Sequence, residues 1–522
     1  MTRDIFTLEV FKNQVVSVAE EMGAALHRTA FSPNIKERKD HSCAVFDPEG
    51  RLVAQAEHIP VHLGAMPETV GAVLENMELE PGDLVVLNDP FLGGTHLPDI
   101  SMVSPVFQGN RLVALLASRA HHSDVGGITP GSLGLSGELF QEGLIIPPIK
   151  LVKGGKYDRE AESFILANVR NPEERSGDLQ AQAGAHSLGE KRILELSHRY
   201  PWGAFEKKCL DLMEYSEERT RLALLSIPDG KYSYRDFLDD DGFSDQPVAL
   251  AVTILIEGDT ALVDFQGTSP AVKGPLNCPE AVTKSATYYV FRCVTGEDIP
   301  ANHGAFRPIS VSIPPGSLLA ARRPFAVAGG NVETSQRIVD VLLGALSRAL
   351  PEMIPAASYG TMSNLAIGSV PGGFPVPFSY YETIAGGTGG HPLGRGANGT
   401  HAHMTNTLNT PVEALEYAYP LRVKRYSIRR RSGGSGFKRG GDGLIREIQT
   451  LCECTVTVLS DRRSAGPWGL RGGFPGKPGS NLLVTADGCT RKLPSKCVFS
   501  TRPGDRIIIK TPGGGGWGRR PL

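Results

Sequence analysis

Apolar residues recur at three- and four-residue spacing at the start of the chain. Leu8, Phe11, Val15, Val18, Met22 and Leu26 share one helical face, which predicts an amphipathic helix over about 5–30, ended by Ser32-Pro33. The pattern then shortens to strands at 42–46 and 51–56 around the turn Asp47-Pro48-Glu49-Gly50. A helix over 67–77, with Pro67 in its first turn, precedes three strands at 84–87, 101–107 and 112–118. Gln108-Gly109-Asn110 is the tight connection between the last two. Further on, Asn171 is expected to cap a helix that starts at Pro172 and runs to about His198. Residues 230–320 read as β-rich, with strands near 250–256 and 261–265. A helix from Val332 to Leu350 follows, with Ile338, Val339, Leu342, Leu343, Leu346 and Leu350 as its apolar stripe. Asn331 is its expected cap and Pro351 its stop.

From about 358 the chain becomes rich in Gly and Arg, with 386-GGTGG-390, 433-GGSG-436, 440-GGDG-443 and 513-GGGGWG-518. Strands are predicted at 454–459, 481–485 and 506–510. The 61 glycines and 38 prolines exceed the roughly 12% share of an average chain. With 40% apolar residues, disorder does not explain them; tight turns and backbone-lined loops around a packed core do. The expectation is an α+β class: a large mixed multi-layer fold with antiparallel strands, long amphipathic helices and a Gly-rich, β-containing C-terminal part. The division falls into a site-bearing region over 1–355 and a Gly/Arg-rich region over 356–522 packed on it.

Charge narrows the partners. The chain carries 54 basic and 56 acidic side chains, a net −2, which favours neither nucleic acid nor an anionic membrane. No apolar run reaches the roughly 20 residues that span a bilayer. The start, MTRDIFTLEV, lacks the apolar stretch of a signal peptide, so a cytoplasmic location is expected. The eight cysteines contain no C-x-x-C pair, which argues against a zinc ribbon or a thioredoxin-like motif and for reduced, mostly buried thiols.

Chemistry concentrates in 88-NDPFLGGTHLPDISMVSPVF-107 and 119-RAHHSDVGG-127. His96, Asp99, His121, His122 and Asp124 fall close together there, and imidazole and carboxylate suit borderline and hard divalent ions. Asp99 precedes the strand 101–107 and His121 follows 112–118. Antiparallel pairing brings the start of one beside the end of the other, and Gly93 and Gly94 let the preceding loop carry His96 to the same point. A lone H-x-x-D is weak evidence, since most such pairs lie on surfaces or cap turns; the His-His pair supplies a third donor. A three-residue loop pairs Asp99 with Arg119 and puts His121 on its face. A two-residue loop pairs Asp99 with Ala120 and favours His122 instead. Three protein donors with an open position is the catalytic arrangement for a divalent ion such as Zn, Mn or Fe.

These segments, with 28-RTAFSPNIKERKDHSCAVFD-47, 139-LFQEGLIIPP-148, 168-NVRNPEERSGDLQAQ-182, 329-GGNVETSQRIVD-340, 380-YYETIAGGTGG-390, 418-AYPLRVKRY-426 and 511-TPGGGGWG-518, resemble hydantoinase B proteins in order along the whole chain. That family includes second subunits of N-methylhydantoinases, the C-terminal half of 5-oxoprolinase, caprolactamase-like enzymes and large subunits of acetone and acetophenone carboxylases. The resemblance implies a hetero-oligomer with a separate A-type subunit of actin-like kinase fold. That subunit uses ATP to phosphorylate the amide or carbonyl oxygen, and the B-type chain acts on the activated species with a divalent metal. By position the implied ligands are Asp40, His96, Asp99 and His121, with His122 and Asp124 as lesser candidates or supports. Asp40 also fits physically, standing just before the strand 42–46; the alternative is a solvated acid in the charged run 36–40.

Absent motifs agree with that division. The nearest approach to a phosphate-binding loop, 472-GGFPGKPG-479, has Pro478 in the hydroxyl position, and no G-x-S-x-G elbow occurs. His401 and His403, with His391 upstream, form a weaker metal candidate that strand alternation also produces. Arg422 and Arg425, in a cluster with Arg429, Arg430 and Arg431, are candidates to contact a phosphorylated intermediate, or to serve a subunit interface. Glu142 and Glu333 lie in the family-like segments without an assigned chemistry. The expected activity is ATP-dependent hydrolysis of a cyclic amide such as a hydantoin or 5-oxoproline. A ketone carboxylase subunit and a non-catalytic partner of the A-type chain are the alternatives.

Overall fold

A computed structural model describes residues 5–56, 59–197, 199–296 and 298–519. Its centre is a seven-stranded sheet: β1 (His41–Phe46), β2 (Leu52–Ala56), β3 (Leu84–Leu87), β4 (Asp99–Gln108), β5 (Arg111–His121), β6 (Ile149–Lys153) and β7 (Lys156–Tyr157). The order is β2-β1-β5-β4-β3-β6-β7, and every neighbouring pair is antiparallel.

The two faces of this sheet bury different residues, as a period of two dictates. On one face Ala114, Leu116 and Ala120 pack with the helix Ile5–Thr29, whose Leu8, Phe11, Val15, Val18, Met22 and Leu26 are all buried. The helix Pro172–Ser197 lies on the same side through Ala181, Ala185 and Ile193. On the other face Leu115 and Ala117 pack with Met66, Val70 and Val73 of the helix Ala65–Asn76. The start of the second long helix matches the expected Pro172; His198, its expected end, lies outside the described residues.

A second sheet, ordered Ile309–Ser312, Thr260–Asp264, Val248–Glu257, Gly230–Leu238, carries the helices Glu280–Thr295 and Ser335–Leu346. The first of these, and Trp202–Leu224 before it, were not expected in the sequence reading. Glu280–Thr295 is dense in β-branched and aromatic residues, which lower helix propensity, and only its burial against the core makes it helical. The helix expected from Val332 starts with a π-helical turn, Gly330–Thr334, and becomes regular at Ser335. Asn331 therefore sits inside a turn and makes no side-chain cap bond.

Two further antiparallel sheets belong to the C-terminal region. One holds Asn364–Ser369, Ser379–Glu382, Cys454–Leu459 and Lys496–Thr501; the other holds Leu421–Arg429, Gly443–Thr450, Ser480–Val484, Thr490–Leu493 and Arg506–Lys510. The Gly-rich stretches stack backbone on backbone beside them. Gly514 N–H donates to Gly441 O at 3.0 Å, and Gly390 N–H to Gly515 O at 2.8 Å. A Cβ on Gly387 would collide with the Gly441 carbonyl, and one on Gly514 with the Thr388 carbonyl, so side chains are excluded there by contact.

Buried ion pairs join segments far apart in the chain. Arg337 reaches Asp236 at 3.1 Å, Asp340 at 3.2 Å and Asp461 at 2.7 Å. Arg462 reaches Asp236 and Asp340, each at 2.6 Å, and Lys496 reaches Asp461 at 3.2 Å. Mixed helices and several antiparallel sheets make the fold α+β. No helix among the described residues is long and apolar enough to cross a membrane.

Candidate metal centre

The β4–β5 hairpin places the key residues through an irregularity that spacing alone did not reveal. Its turn is two residues, Gly109-Asn110, with Gln108 opposite Arg111 and Gly109 at φ 60°. Continued regularly, that register would set Ala120 opposite Asp99 and favour His122. A bulge shifts the register between Val106 and Phe107, so Ala114 faces Val106 and His121 faces Asp99. His121 therefore shares a face with Asp99, and His122 points to the other side.

His96 arrives from the loop before β4. The Asn88 side chain fixes that loop by donating to Leu97 O and Leu144 O and accepting from Ile146 N–H. Gly93, at φ 79°, lies against the backbone of Glu68 and Thr69 so closely that a Cβ would clash. The Thr69 hydroxyl and the buried Arg119 guanidinium both donate to Gly93 O. Burial lowers the Arg119 pKa to about 10, with the Asp99 charge opposing that shift.

Three donor atoms then meet. His96 Nε2 lies 3.1 Å from Asp99 Oδ1 and 3.2 Å from His121 Nδ1, and His121 Nδ1 lies 3.1 Å from Asp99 Oδ1. Among the described residues this is the one group of three or more His, Cys, Asp and Glu side chains with donor atoms all within 4.8 Å of one another. Two imidazoles and a carboxylate cannot satisfy three mutual contacts as ordinary hydrogen bonds. Ligands at the usual bond lengths of about 2.0–2.2 Å stand about 2.8–3.1 Å apart at adjacent corners of an octahedron and about 3.3–3.6 Å apart in a tetrahedron, and the observed separations fall between these limits. The triangle fits a divalent cation by that measure and by its donor chemistry.

Asp40 lines the same cavity, outside the triangle; its carbonyl accepts from His121 N–H at 3.0 Å, and Arg38 stands 3.9 Å from its carboxylate. The cavity, bordered by Asp40, His62, Asp99, His121, Asn331 and Tyr381, has a volume of about 20 Å³. That is room for about one water. Burial alone would raise the Asp99 pKa, but the His96 charge and contacts from His121, His62 and His96 hold it well below the usual range. Burial pushes the His121 pKa down, which favours the neutral imidazole that binds metals.

Other candidates go elsewhere. His122 Nε2 contacts Gln182 Oε1 at 2.9 Å, and burial lowers its pKa to about 4. Asp124 accepts from Gly126 N–H and Gly131 N–H and pairs with Arg170 at 2.9 Å, supporting a turn away from the triangle. Arg422 and Arg425 are exposed on their strand and do not border the cavity. His391, His401 and His403 border a separate recess of about 580 Å³ and do not converge as a triangle. Glu142 is buried, accepts from Val327 N–H, Ala328 N–H and the Ser136 hydroxyl, and burial lifts its pKa to about 7.

Two neighbours escaped the sequence reading. His62, on the turn Pro60–His62, holds Nε2 3.5 Å from Asp99 Oδ2 and Nδ1 2.9 Å from Ser42 Oγ. Because β2 ends at the edge where β1 begins, the segment after β2 had to pass Asp40; that was the available signal. Tyr381 stacks on His121 with ring centroids 4.8 Å apart, under Arg38 at 4.9 Å, and donates to Asn364 Oδ1 at 2.8 Å. Nothing local to Tyr381 marks it.

An α+β fold with a buried carboxylate–imidazole triangle and a water-sized cavity defines the class: a candidate divalent-metal enzyme. The chain belongs to the hydantoinase B/oxoprolinase family, whose model matches residues 4–520. It is 40% identical over 540 residues to 5-oxoprolinase 1 of Arabidopsis thaliana, covering 99% of this chain and 42% of that protein. The chain thus spans about two fifths of the length of that relative. Its fold is similar to the ATP-dependent caprolactamase from Pseudomonas jessenii, with a TM-score of 0.93 and 28% identity over 100% of this chain and 93% of that one. Acetone carboxylase shares the fold at a TM-score of 0.90 and 18% identity, over 99% of this chain and 76% of that one.

Proposed function

We propose that this chain is the metal-dependent hydrolytic component of an ATP-dependent cyclic-amide hydrolase. It acts on an intermediate phosphorylated by a separate A-type partner of actin-like kinase fold. The observation that carries this reading is the triangle of His96, Asp99 and His121 beside a water-sized cavity. The relatives named for oxoproline and caprolactam support the cyclic-amide substrate. The sequence holds no phosphate-binding loop of its own, and the eight unbridged cysteines suit a reducing, cytoplasmic setting.

His96, Asp99 and His121 would hold the ion, with Asp40 lining the same cavity. When bound, a divalent ion such as Zn, Mn or Fe lowers the pKa of water towards neutrality and polarises a carbonyl or phosphoryl oxygen. The protein's own contribution is position. Tyr381 fixes the plane of the His121 ring by stacking, Thr95 donates to Asp99 Oδ2, and Arg119 pins the loop that presents His96. Met362, Met404 and Val332 close the cavity and exclude bulk water.

Asp99→Asn tests the reading in the complex with its partner. The variant keeps the shape but loses the charge. Phosphate release should continue while ring-opened product falls to background. Ring opening at the wild-type rate would remove the triangle from the chemistry and favour a non-catalytic role. Silence on cyclic amides, with ATP consumed on ketone plus bicarbonate, would replace hydrolysis by carboxylation, the reaction that the acetone carboxylase fold also supports.

A further inference from the structure

Asn331 is 4% exposed and borders the small cavity beside Asp99 and His121. The π-helical turn Gly330–Thr334 carries it, and such turns are frequent at functional sites. The backbone there is held from several sides. Glu142 accepts from Val327 N–H and Ala328 N–H, Gly330 N–H donates to Pro275 O at 2.9 Å, and the Ser335 hydroxyl donates to Asn331 O at 2.6 Å. Glu333, two residues on, accepts from Met362 N–H.

Beyond the triangle, the other uncharged polar side chains around the cavity are engaged. His62 contacts Ser42, the Tyr381 hydroxyl donates to Asn364, and Thr383 and Thr405 each contact Thr407. The Asn331 side chain makes no hydrogen bond among the described residues. Its Oδ1 is shut in by protein, which leaves the amide N–H as the group it can offer to the cavity. A buried amide on a fixed backbone, left without a partner, points to a guest that completes it.

We propose that Asn331 is the hydrogen-bond donor that orients the reacting water in this cavity. The inference rests on the metal-centre reading and deepens it. A buried water needs two to four polar partners. Asp40 and Asp99 offer acceptors for its protons, and an ionised carboxylate cannot donate. Asn331 supplies the donor. Its N–H takes one lone pair of the oxygen and leaves another free to form the bond to the amide carbon. The amide is neutral and does not titrate, so it neither repels a cation held by the triangle nor competes for the proton that the water gives up.

Fluoride tests this, being a water-sized probe that accepts hydrogen bonds and donates none. The full chain is loaded with Co(II) and fluoride is titrated against its visible spectrum, with metal content and melting temperature measured beside it. Wild type should bind fluoride, and Asn331→Leu should bind it about tenfold or more weaker, the worth of a hydrogen bond to a charged group. Asn331→Asp, of the same shape without the N–H, should weaken it at least as much, and decides the matter if Asn331→Leu fails to fold. Both variants should keep the wild-type cobalt content, because the triangle is untouched. Equal fluoride affinity in wild type and the variants, no fluoride binding by cobalt-loaded wild type, or loss of cobalt from a folded variant would overturn the assignment and leave the triangle standing. No cobalt in wild type would remove the metal centre and the role of Asn331 together.

Discussion

Asp99 and Arg337 are both fully buried ionisable residues, yet their surroundings differ in kind. Arg337 is met by Asp236, Asp340 and Asp461, which are met in turn by Arg462 and Lys496. Every cation in that network faces a carboxylate. Burial raises the pKa of Asp340 to about 8, with Arg337 opposing the shift and Asp236 and Asp461 adding to it. Asp99 has no ion pair with Lys or Arg among the described residues. Its contacts are His96, His121, His62 and the Thr95 hydroxyl. His121 Nε2 and His96 Nδ1 are also buried without a hydrogen-bond partner among the described residues. A buried charge needs a counter-charge. The Arg337 network contains its own in direct ion pairs and acts as structure; the Asp99 carboxylate touches only imidazoles and a hydroxyl and invites an ion from outside.

Breaking each cluster should therefore have different consequences. His96→Ala should cost the complex about a thousandfold or more in ring-opening rate, equivalent to about 4 kcal/mol of barrier, with only a modest change in melting temperature. A product assay beside a thermal melt measures both. An equal loss of fold and activity would erase the distinction.

Arg337→Met should do the opposite. It removes the central cation of the network at nearly constant volume and leaves buried carboxylates uncompensated, a loss of about 3–5 kcal/mol. Denaturant unfolding should show it, while metal content per folded chain stays at the wild-type level.

Glu333 sharpens the comparison by pH. Its Oε1 accepts from Met362 N–H and Asn364 Nδ2, and burial raises its pKa from 4.5 to about 8, with Asp461 adding to the shift. Between those values the folded state holds a proton that the unfolded state has lost, so stability falls as pH rises through that window. Glu333→Gln should remove this slope, gaining about 1–4 kcal/mol at pH 9 relative to wild type and little at pH 4. Parallel pH–stability curves for the two proteins would contradict the assignment.

The smallest effect concerns the neighbouring histidine. His122→Asn should lose the contact with Gln182, about 1–2 kcal/mol of stability, and keep its metal; His121→Asn should lose the metal. If His122→Asn strips the metal, the register of the hairpin is wrong.

How much of this the sequence disclosed follows from the range of the interactions. The helix Ile5–Thr29 and the β4–β5 hairpin were legible because a repeating apolar pattern is local. His96, Asp99 and His121 were legible because one hairpin carries two of them and a short loop the third. The choice between His121 and His122 was not, because a bulge of one residue reverses the face and leaves no mark in the turn. Asn331 read as a cap because a π-helical turn and a regular helix start look alike in sequence. Helix Glu280–Thr295 was missed because tertiary packing overrides its local preference. Tyr381 and the pairing of Arg337 with Asp236 and Asp461 join segments far apart in the chain, where spacing carries no information.

The central claim is that the Asp99 cluster holds a divalent ion. Elemental analysis of purified wild type and Asp99→Asn, both folded by circular dichroism, tests it most directly. The account predicts about one Zn, Mn or Fe per wild-type chain and less than about a tenth of that in the variant, since loss of a ligand charge weakens binding strongly. Equal metal in both proteins, or none in wild type after growth with all three metals supplied, would contradict it.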